Sequence, residues 1–393
     1  MIRKVFFTII ALMAAYPLSG QEKIQEVLRS IESNNTSLAA LRAGIEADQL
    51  ANRTDIYLSD PEVGFDYLWG HPSPIGNRID VSVSQTLDLP TISGMKGKVA
   101  DRKNEMLRWE YESQRINTLT QAKLLLIDMI YYNRMRQELC LRQQTIDSIA
   151  TAEKRKLDGG SGTIVDYNGV QLEQIAIAAE IQEIETERKA TLATLEQMNG
   201  GKEVSFDCAE YEEIVLPIDF DSWYAESERK NPVLAYVRSE IEMNKQQVSL
   251  SRSLNLPSLS VGYMLEKTQG EHYQGISLGL SIPLWSTRNR VKQAKAAVAA
   301  AEARQEDAKI QFYGQLNILY QRVLGLNESA LTYRKALTEA DNSQYLKRAL
   351  DVGEISVLDY LRQASIYYQF IDKAMSAERD LHKSHAELTS YTL

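Results

Sequence analysis

Cysteine and histidine are scarce in this chain, and the scarcity excludes most metal and thiol chemistry. The two cysteines, Cys140 and Cys208, form no CxxC and no metal-ligand spacing. Cys140 falls in a helical pattern and reads as a packed thiol; a Cys140–Cys208 disulfide is the alternative in an oxidising compartment. Of the four histidines, His71 and His272 fall in expected hairpin loops. His382 and His385 stand three apart on one helix face, without a third ligand, and read as a solvated face rather than a zinc site. No GxSxG, HExxH, dinucleotide fingerprint or phosphate-binding loop is present. Gly159, Gly160 and Gly162 make a glycine-rich turn, but no lysine follows at phosphate-binding spacing. No catalytic residue, cofactor or metal is therefore expected, and the chain does not read as an enzyme.

Long apolar runs are missing too, with one exception. Arg3 and Lys4 precede the run Val5–Leu18, and Ser19 and Gly20 precede Gln21. This predicts a secretory signal over residues 1–20, too short for a membrane anchor, with no cysteine after it for lipidation. Beyond it no run reaches the length of a transmembrane helix, so any membrane crossing must use β-strands. Positive charge is also in deficit. The net charge is −9, and removing the first twenty residues, with two basic and no acidic side chains, leaves −11. That speaks against nucleic acid as a partner.

What the chain does contain is repetition. Lys154, Arg155, Leu157, Asp158, Gly160, Thr163, Asp166 and Tyr167 recur at one constant offset as Lys347, Arg348, Leu350, Asp351, Gly353, Ser356, Asp359 and Tyr360. Glycine ends a helix by taking positive φ, and Ser or Thr three residues later caps the next one, with Asp completing a capping box. Capping accounts for Gly, Ser/Thr and Asp. It does not account for the recurrence of Lys-Arg, Leu and Tyr, which argues for internal duplication. A second constant offset links Asn35, Leu38, Ala39, Arg42, Ile45, Glu46, Pro61 and Tyr67 to Asn231, Leu234, Ala235, Arg238, Ile241, Glu242, Pro257 and Tyr263. The expected divisions are a first repeat over 21–199, a connector over 200–219 and a second repeat over 220–393.

Each repeat reads as two helices, two strands, a very long helix, a tip turn (158–163 or 351–356) and a final helix. Pro61 and Pro257 stop the second helices, about Thr36–Leu58 and Pro232–Leu254. The strands, about 62–69, 78–88, 258–265 and 275–284, alternate an oily face with a small or polar one. Gly70–Asn77 and Glu266–Gln274 are the expected loops between them. Tyr67, Trp69, Tyr263 and Trp285 are placed near strand ends, as in the aromatic girdles of transmembrane barrels. Two strands per repeat are marginal in water, and four cannot close a barrel, but several chains together could. No proline interrupts the long helices, about Lys96–Leu157 and Arg288–Leu350. At about 1.5 Å per residue each would reach roughly 90 Å. Val291, Val298, Phe312, Leu319 and Leu326 form one row at multiples of seven, and Leu316, Val323, Ala330 and Leu337 a second. Two rows imply two contact faces, as in a wall of helices. The acidic connector, with Glu203, Asp207, Glu210, Glu212 and Glu213, is expected to lie against the helices; a weak cation site is the alternative.

In these features the chain resembles the TolC-like outer membrane efflux proteins. The residues that carry the resemblance are the two tip turns, Ser281–Leu284 after the last strand, Arg288 and Arg290, Ser84–Gln85 and the Ala-rich helix start 294–303. The resemblance implies a mainly α fold with a small β part: duplicated antiparallel helical hairpins and four transmembrane strands per chain. It further implies a homotrimer, whose pooled strands make a twelve-stranded barrel in the outer membrane above an α-helical barrel in the periplasm. A periplasmic adaptor and an inner-membrane pump are the implied partners, with outer membrane lipid. Leu157, Gly160, Thr163, Leu350, Gly353 and Ser356 would be adaptor-docking turns, and Asp359 with Asp166 a candidate gate at the periplasmic mouth. Three departures stand out. Arg362 is found where relatives often carry a second acid, Ser286–Thr287 replaces a Gly-Gly, and the N-terminal lipidated cysteine of many relatives is absent. The expected role is a passive outer membrane efflux channel for small molecules, drugs or metal ions. A periplasmic coiled-coil adaptor, a type I protein-secretion exit duct and a poreless coiled-coil scaffold are the alternatives. No Met or His row marks a metal path.

Overall fold

The computed structural model describes residues 20–87, 90–217 and 219–392. The signal segment, apart from Gly20, lies outside them.

The helices are α1 (Gly20–Asn34), α2 (Thr36–Ala51), α3 (Pro90–Asp158), α4 (Ile164–Met198), α5 (Phe220–Lys230), α6 (Pro232–Ser253), α7 (Arg290–Glu339), α8 (Ser343–Asp351) and α9 (Val357–Leu388); the strands are β1 (Glu62–Leu68), β2 (Arg78–Leu87), β3 (Ser258–Thr268) and β4 (Glu271–Ser281). The expected mainly α fold with a small β part is what the chain adopts. It forms two compact units, each drawn from both halves of the sequence.

One unit takes the segment ending at Asn35, Leu119–Leu216 and Gln321–Glu387. Its core is built from aliphatic stripes on α1 (Ile24, Leu28, Ile31) and α3 (Leu126, Met129, Ile130, Leu139), with Leu195 of α4. The connector supplies buried Val204, Phe206 and Cys208. Asn133 Nδ2 donates to the Cys208 carbonyl at 2.9 Å, which satisfies that backbone group in a segment that runs without regular structure. Both cysteines are free thiols.

The other unit takes Thr36–Thr118, Pro217–Tyr320 and the C-terminal residues from Leu388. Pro232 opens α6, where its missing N–H costs nothing, and the Asn231 side chain caps the helix from Val233 N at 2.7 Å. An aromatic cluster joins α5 to α7: Phe220 meets Tyr320 at 5.2 Å and Tyr313 at 5.5 Å between ring centroids. The sheet is a meander, β1-β2-β3-β4, antiparallel throughout.

The structure departs from the sequence expectation in several places. The second long helix is not continuous to residue 350 but breaks between Glu339 and Ser343. Asp341 Oδ1 accepts from both the amide and the hydroxyl of Ser343, at 3.1 and 2.6 Å. This local turn competes with the helical hydrogen bonds. The second hairpin is tighter than expected. β3 and β4 run through the polar residues 266–274, and the chain reverses at Gln269–Gly270, with Gly270 at φ 95°. His272 is therefore a strand residue opposite Lys267, and β4 stops at Ser281, before Pro283. Tyr263, expected near a strand end, pairs with Val83 and Ile276 in the middle of β3. At the turn into α7 the left-handed residue is Asn289, at φ 65°, and not residues 286–287.

Candidate functional site

Two places combine the expected site residues: the helical tips and the sheet. The tips repeat each other atom for atom in their backbone bonds. At the first, Gly160 N donates to Leu157 O at 3.0 Å and Ser161 N to Lys156 O at 2.9 Å; at the second, Gly353 N donates to Leu350 O at 3.1 Å and Glu354 N to Ala349 O at 2.9 Å. Gly160 and Gly353 take φ of 75° and 78°. A side chain there would be strained, which is why glycine recurs. Both capping boxes form. Asp166 N donates to Thr163 Oγ1 and Asp359 N to Ser356 Oγ, each at 3.1 Å, and each hydroxyl donates to its aspartate at 2.7 Å.

The two hairpins pack together beside these turns. Ile146, Ile149 and Ala150 of α3, Val170 and Ile177 of α4, Leu350 of α8, and Val357, Tyr360 and Ala364 of α9 form one core. Leu350, expected on a docking surface, points into this core at 8% exposure. It shapes the turn from within because the short helix α8 buries that face. Burial pushes the Tyr360 phenol up to about 12, with Tyr368 hydrogen-bonded beside it. Apolar residues that the tips do present to solvent include Ile164, Val165 and Val352, the last two at 63% and 64% exposure, and Leu358, the counterpart of Val165. Asp359 is exposed; Arg362 Nη2 lies 3.9 Å from its carboxylate, so a cation stands beside the candidate gate acid.

Above this core sits a residue set that sequence reading missed. Arg142, nearly buried, donates to Glu138 at 3.0 Å and to Asp372 at 2.7 Å, and its guanidinium lies 4.3 Å from the Tyr368 ring centre. It ties α3 to α9. The only local signal was the Glu138–Arg142 spacing; Asp372 lies far along the chain.

His382 and His385 are half-buried against the connector and do not form a solvated face. His382 stacks on Tyr211 of the connector, with ring centres 4.2 Å apart and planes at 11°. A His385 ring nitrogen lies 3.4 Å from the Val215 carbonyl. Burial, then the charges of His385 and Arg134, lower His382 from 6.5 to about 3, and burial lowers His385. Both are therefore neutral in the folded chain where the unfolded chain takes up protons. Stability from this packing is full above about pH 6.5 and falls as pH drops toward the folded value. A His382→Phe variant, which retains the stack, should lose less melting temperature than the wild type between pH 7.5 and 4.5; equal losses would count against this assignment. Among the described residues no group of three His, Cys, Asp or Glu could hold a metal ion. The connector's acids are used in ion pairs instead: Lys123 with Glu212 at 2.8 Å and Lys23 with Asp207 at 3.1 Å.

The sheet has two unlike faces. On one, cross-strand rows are Val63–Val83–Tyr263–Ile276, Val261–Leu278 and Leu87–Leu259–Leu280. Within the chain this face is bare: Ile276 and Leu278 are 78% and 73% exposed. On the other face small residues meet. Gly64 faces Ser82, Gly262 lies between Ser84 and Ser277, and Gly279 faces Ser260. A Cβ at Gly64 or Gly262 would stand 2.6 Å from a serine hydroxyl. Trp69 and Trp285, beyond the ends of β1 and β4, are 81% and 80% exposed; Tyr67 packs on Trp69 at 5.4 Å.

The fold is found in known channels. The outer-membrane channel OprN matches with TM-score 0.76 and 15% identity, over 94% of this chain and 89% of that one. CusC, described through its folding and transmembrane channel formation, matches with TM-score 0.73 and 12% identity, over 96% and 95%. The Campylobacter jejuni CmeC outer membrane channel matches with TM-score 0.68 and 15% identity, over 94% and 84%. Residues 223–392 match the family model of the outer membrane efflux protein. No curated protein matches the chain by sequence. The chain thus has the fold of these channels along nearly its whole length, and residues 223–392 carry the sequence pattern of the outer membrane efflux protein family.

Proposed function

We propose that three copies of this chain form a passive exit duct through a Gram-negative outer membrane, fed by a periplasmic adaptor and an inner-membrane pump. The carrying observation is the two-faced sheet. A face of Ile276, Leu278, Val63 and Phe65, left open within the chain, suits lipid, and the Gly/Ser face suits a water-filled bore. Four strands leave two open edges, and closure through neighbouring copies removes them. Trp69, Trp285 and Tyr67 serve as interfacial anchors, whereas mid-strand Tyr263 lies at the level of the lipid tails. The two glycine turns, with Gly160, Thr163, Gly353, Ser356 and Leu157, hold up an apolar docking surface of Ile164, Val165 and Val352 for the adaptor. Asp359 and Asp166 stand at the periplasmic mouth, with Arg362 reducing the negative charge there. The duct lowers no chemical barrier; transport energy comes from the pump. Purified protein in a planar bilayer tests this reading: stepwise ion conductance is expected, and a water-soluble protein that never conducts would favour a coiled-coil adaptor or scaffold.

A further inference from the structure

The Gly/Ser face of the sheet changes character toward the hairpin loops. There one row crosses all four strands: Asp66 opposite Asp80, Asp80 opposite Glu266, Glu266 opposite Tyr273. Arg78, one inward-facing position further on, turns back into this row. Its guanidinium donates to both Asp80 oxygens, through Nε at 2.8 and 3.0 Å. Its Nη2 lies 2.8 Å from Asp80 and 3.2 Å from Glu266. Alternation puts Lys267 and His272, the other basic residues of the four strands, on the oily face. Arg78 is therefore the single basic side chain of the strands on the small-residue face.

From this geometry we propose that Arg78 sets the charge selectivity of the exit. The inference rests on the duct reading above. Elsewhere on that face Gly and Ser line the middle of the strands, Glu62 stands alone at the far end of β1 and Glu271 lies one inward-facing position beyond Tyr273, so the end of the sheet with Arg78 is the level at which a permeating ion meets most of the fixed charge. With Glu271, opposite Thr268 and hydrogen-bonded to the Tyr273 hydroxyl, four carboxylates and one guanidinium leave three negative charges per chain at this end of the face. Repeated by symmetry, they form a closed ring that attracts cations and repels anions, by the same physics as other charged pore rings. Arg78 moderates that ring. It clamps Asp80 and Glu266 across neighbouring strands and leaves Asp66 to face the bore.

Reversal potentials in planar bilayers under a potassium chloride gradient test the proposal. The wild type should reverse on the cation side of zero. Arg78→Gln should shift the potential further toward the potassium equilibrium value, and Asp66→Asn, which keeps the Arg78 clamp, should shift it back toward zero. Arg78→Lys retains the charge with a looser clamp and should stay near the wild type, which separates charge from sheet packing. Both shifts should shrink at molar salt, where screening shortens the reach of the ring to about 3 Å. Conducting channels whose reversal potential is unmoved by Arg78→Gln and Asp66→Asn would overturn the filter alone. Absence of conductance in the wild type would overturn the duct and the filter with it.

Discussion

Replacing Lys123 with alanine is expected to lower stability by about 3 kcal/mol, a change visible in chemical denaturation. Lys123 and Glu212 pair at 2.8 Å, with side chains only 11% and 17% exposed. Glu212 Oε1 is buried and meets no hydrogen-bond donor among the described residues. Removing the lysine leaves a carboxylate out of water with nothing to neutralise it. The cost is then that of an uncompensated buried charge, not that of a lost surface bridge. The double variant Lys123→Met with Glu212→Leu removes both charges and keeps the volume, so it should recover most of the loss. A single variant as stable as the wild type would show that water reaches the pair. The pair matters because it pins the connector to α3 beside the stacked Tyr211–His382 rings.

The second large effect concerns the tips. Val165→Asp with Val352→Asp should abolish efflux while leaving bilayer conductance and melting temperature near the wild type. Both side chains are already in solvent, so the free chain loses little. An adaptor packed on them would have to bury two charges. A penalty of about 3 kcal/mol is expected, on the order of a hundredfold in Kd. Binding measured between the purified duct and its adaptor reads the effect directly. Unchanged affinity would move the docking surface away from these turns. A Gly353→Val variant acts differently: it strains a residue at φ 78° and disturbs the core formed with Leu350, so it should lower melting temperature as well.

The tip turns were legible because their determinants are local. A glycine at positive φ and a hydroxyl followed three residues later by aspartate specify the reversal whatever packs around them. The oily and small faces of the strands were legible for a similar reason, since period-2 alternation needs no partner to be seen. The tight second hairpin was missed because Glu266, Lys267 and His272 look like loop residues; they are strand residues beyond the apolar part of the strands. The break in the second long helix was written in Asp341–Asn342–Ser343, but the seven-residue apolar rows that run up to Leu337 hid it. The half-buried histidines were misread for a non-local reason. The segment that covers them, Tyr211 to Val215, is far away in sequence, and no helical pattern announces it. Arg142 escaped on the same account.

Cysteine substitution along β4, one position at a time in the Cys140→Ser, Cys208→Ser background, tests the central claim most directly. With the protein in lipid vesicles and a water-soluble maleimide as reagent, positions 277, 279 and 281 should label rapidly and positions 276, 278 and 280 slowly. Uniform labelling, or the opposite alternation, would mean that the oily face does not lie against lipid and that these strands do not line a bore.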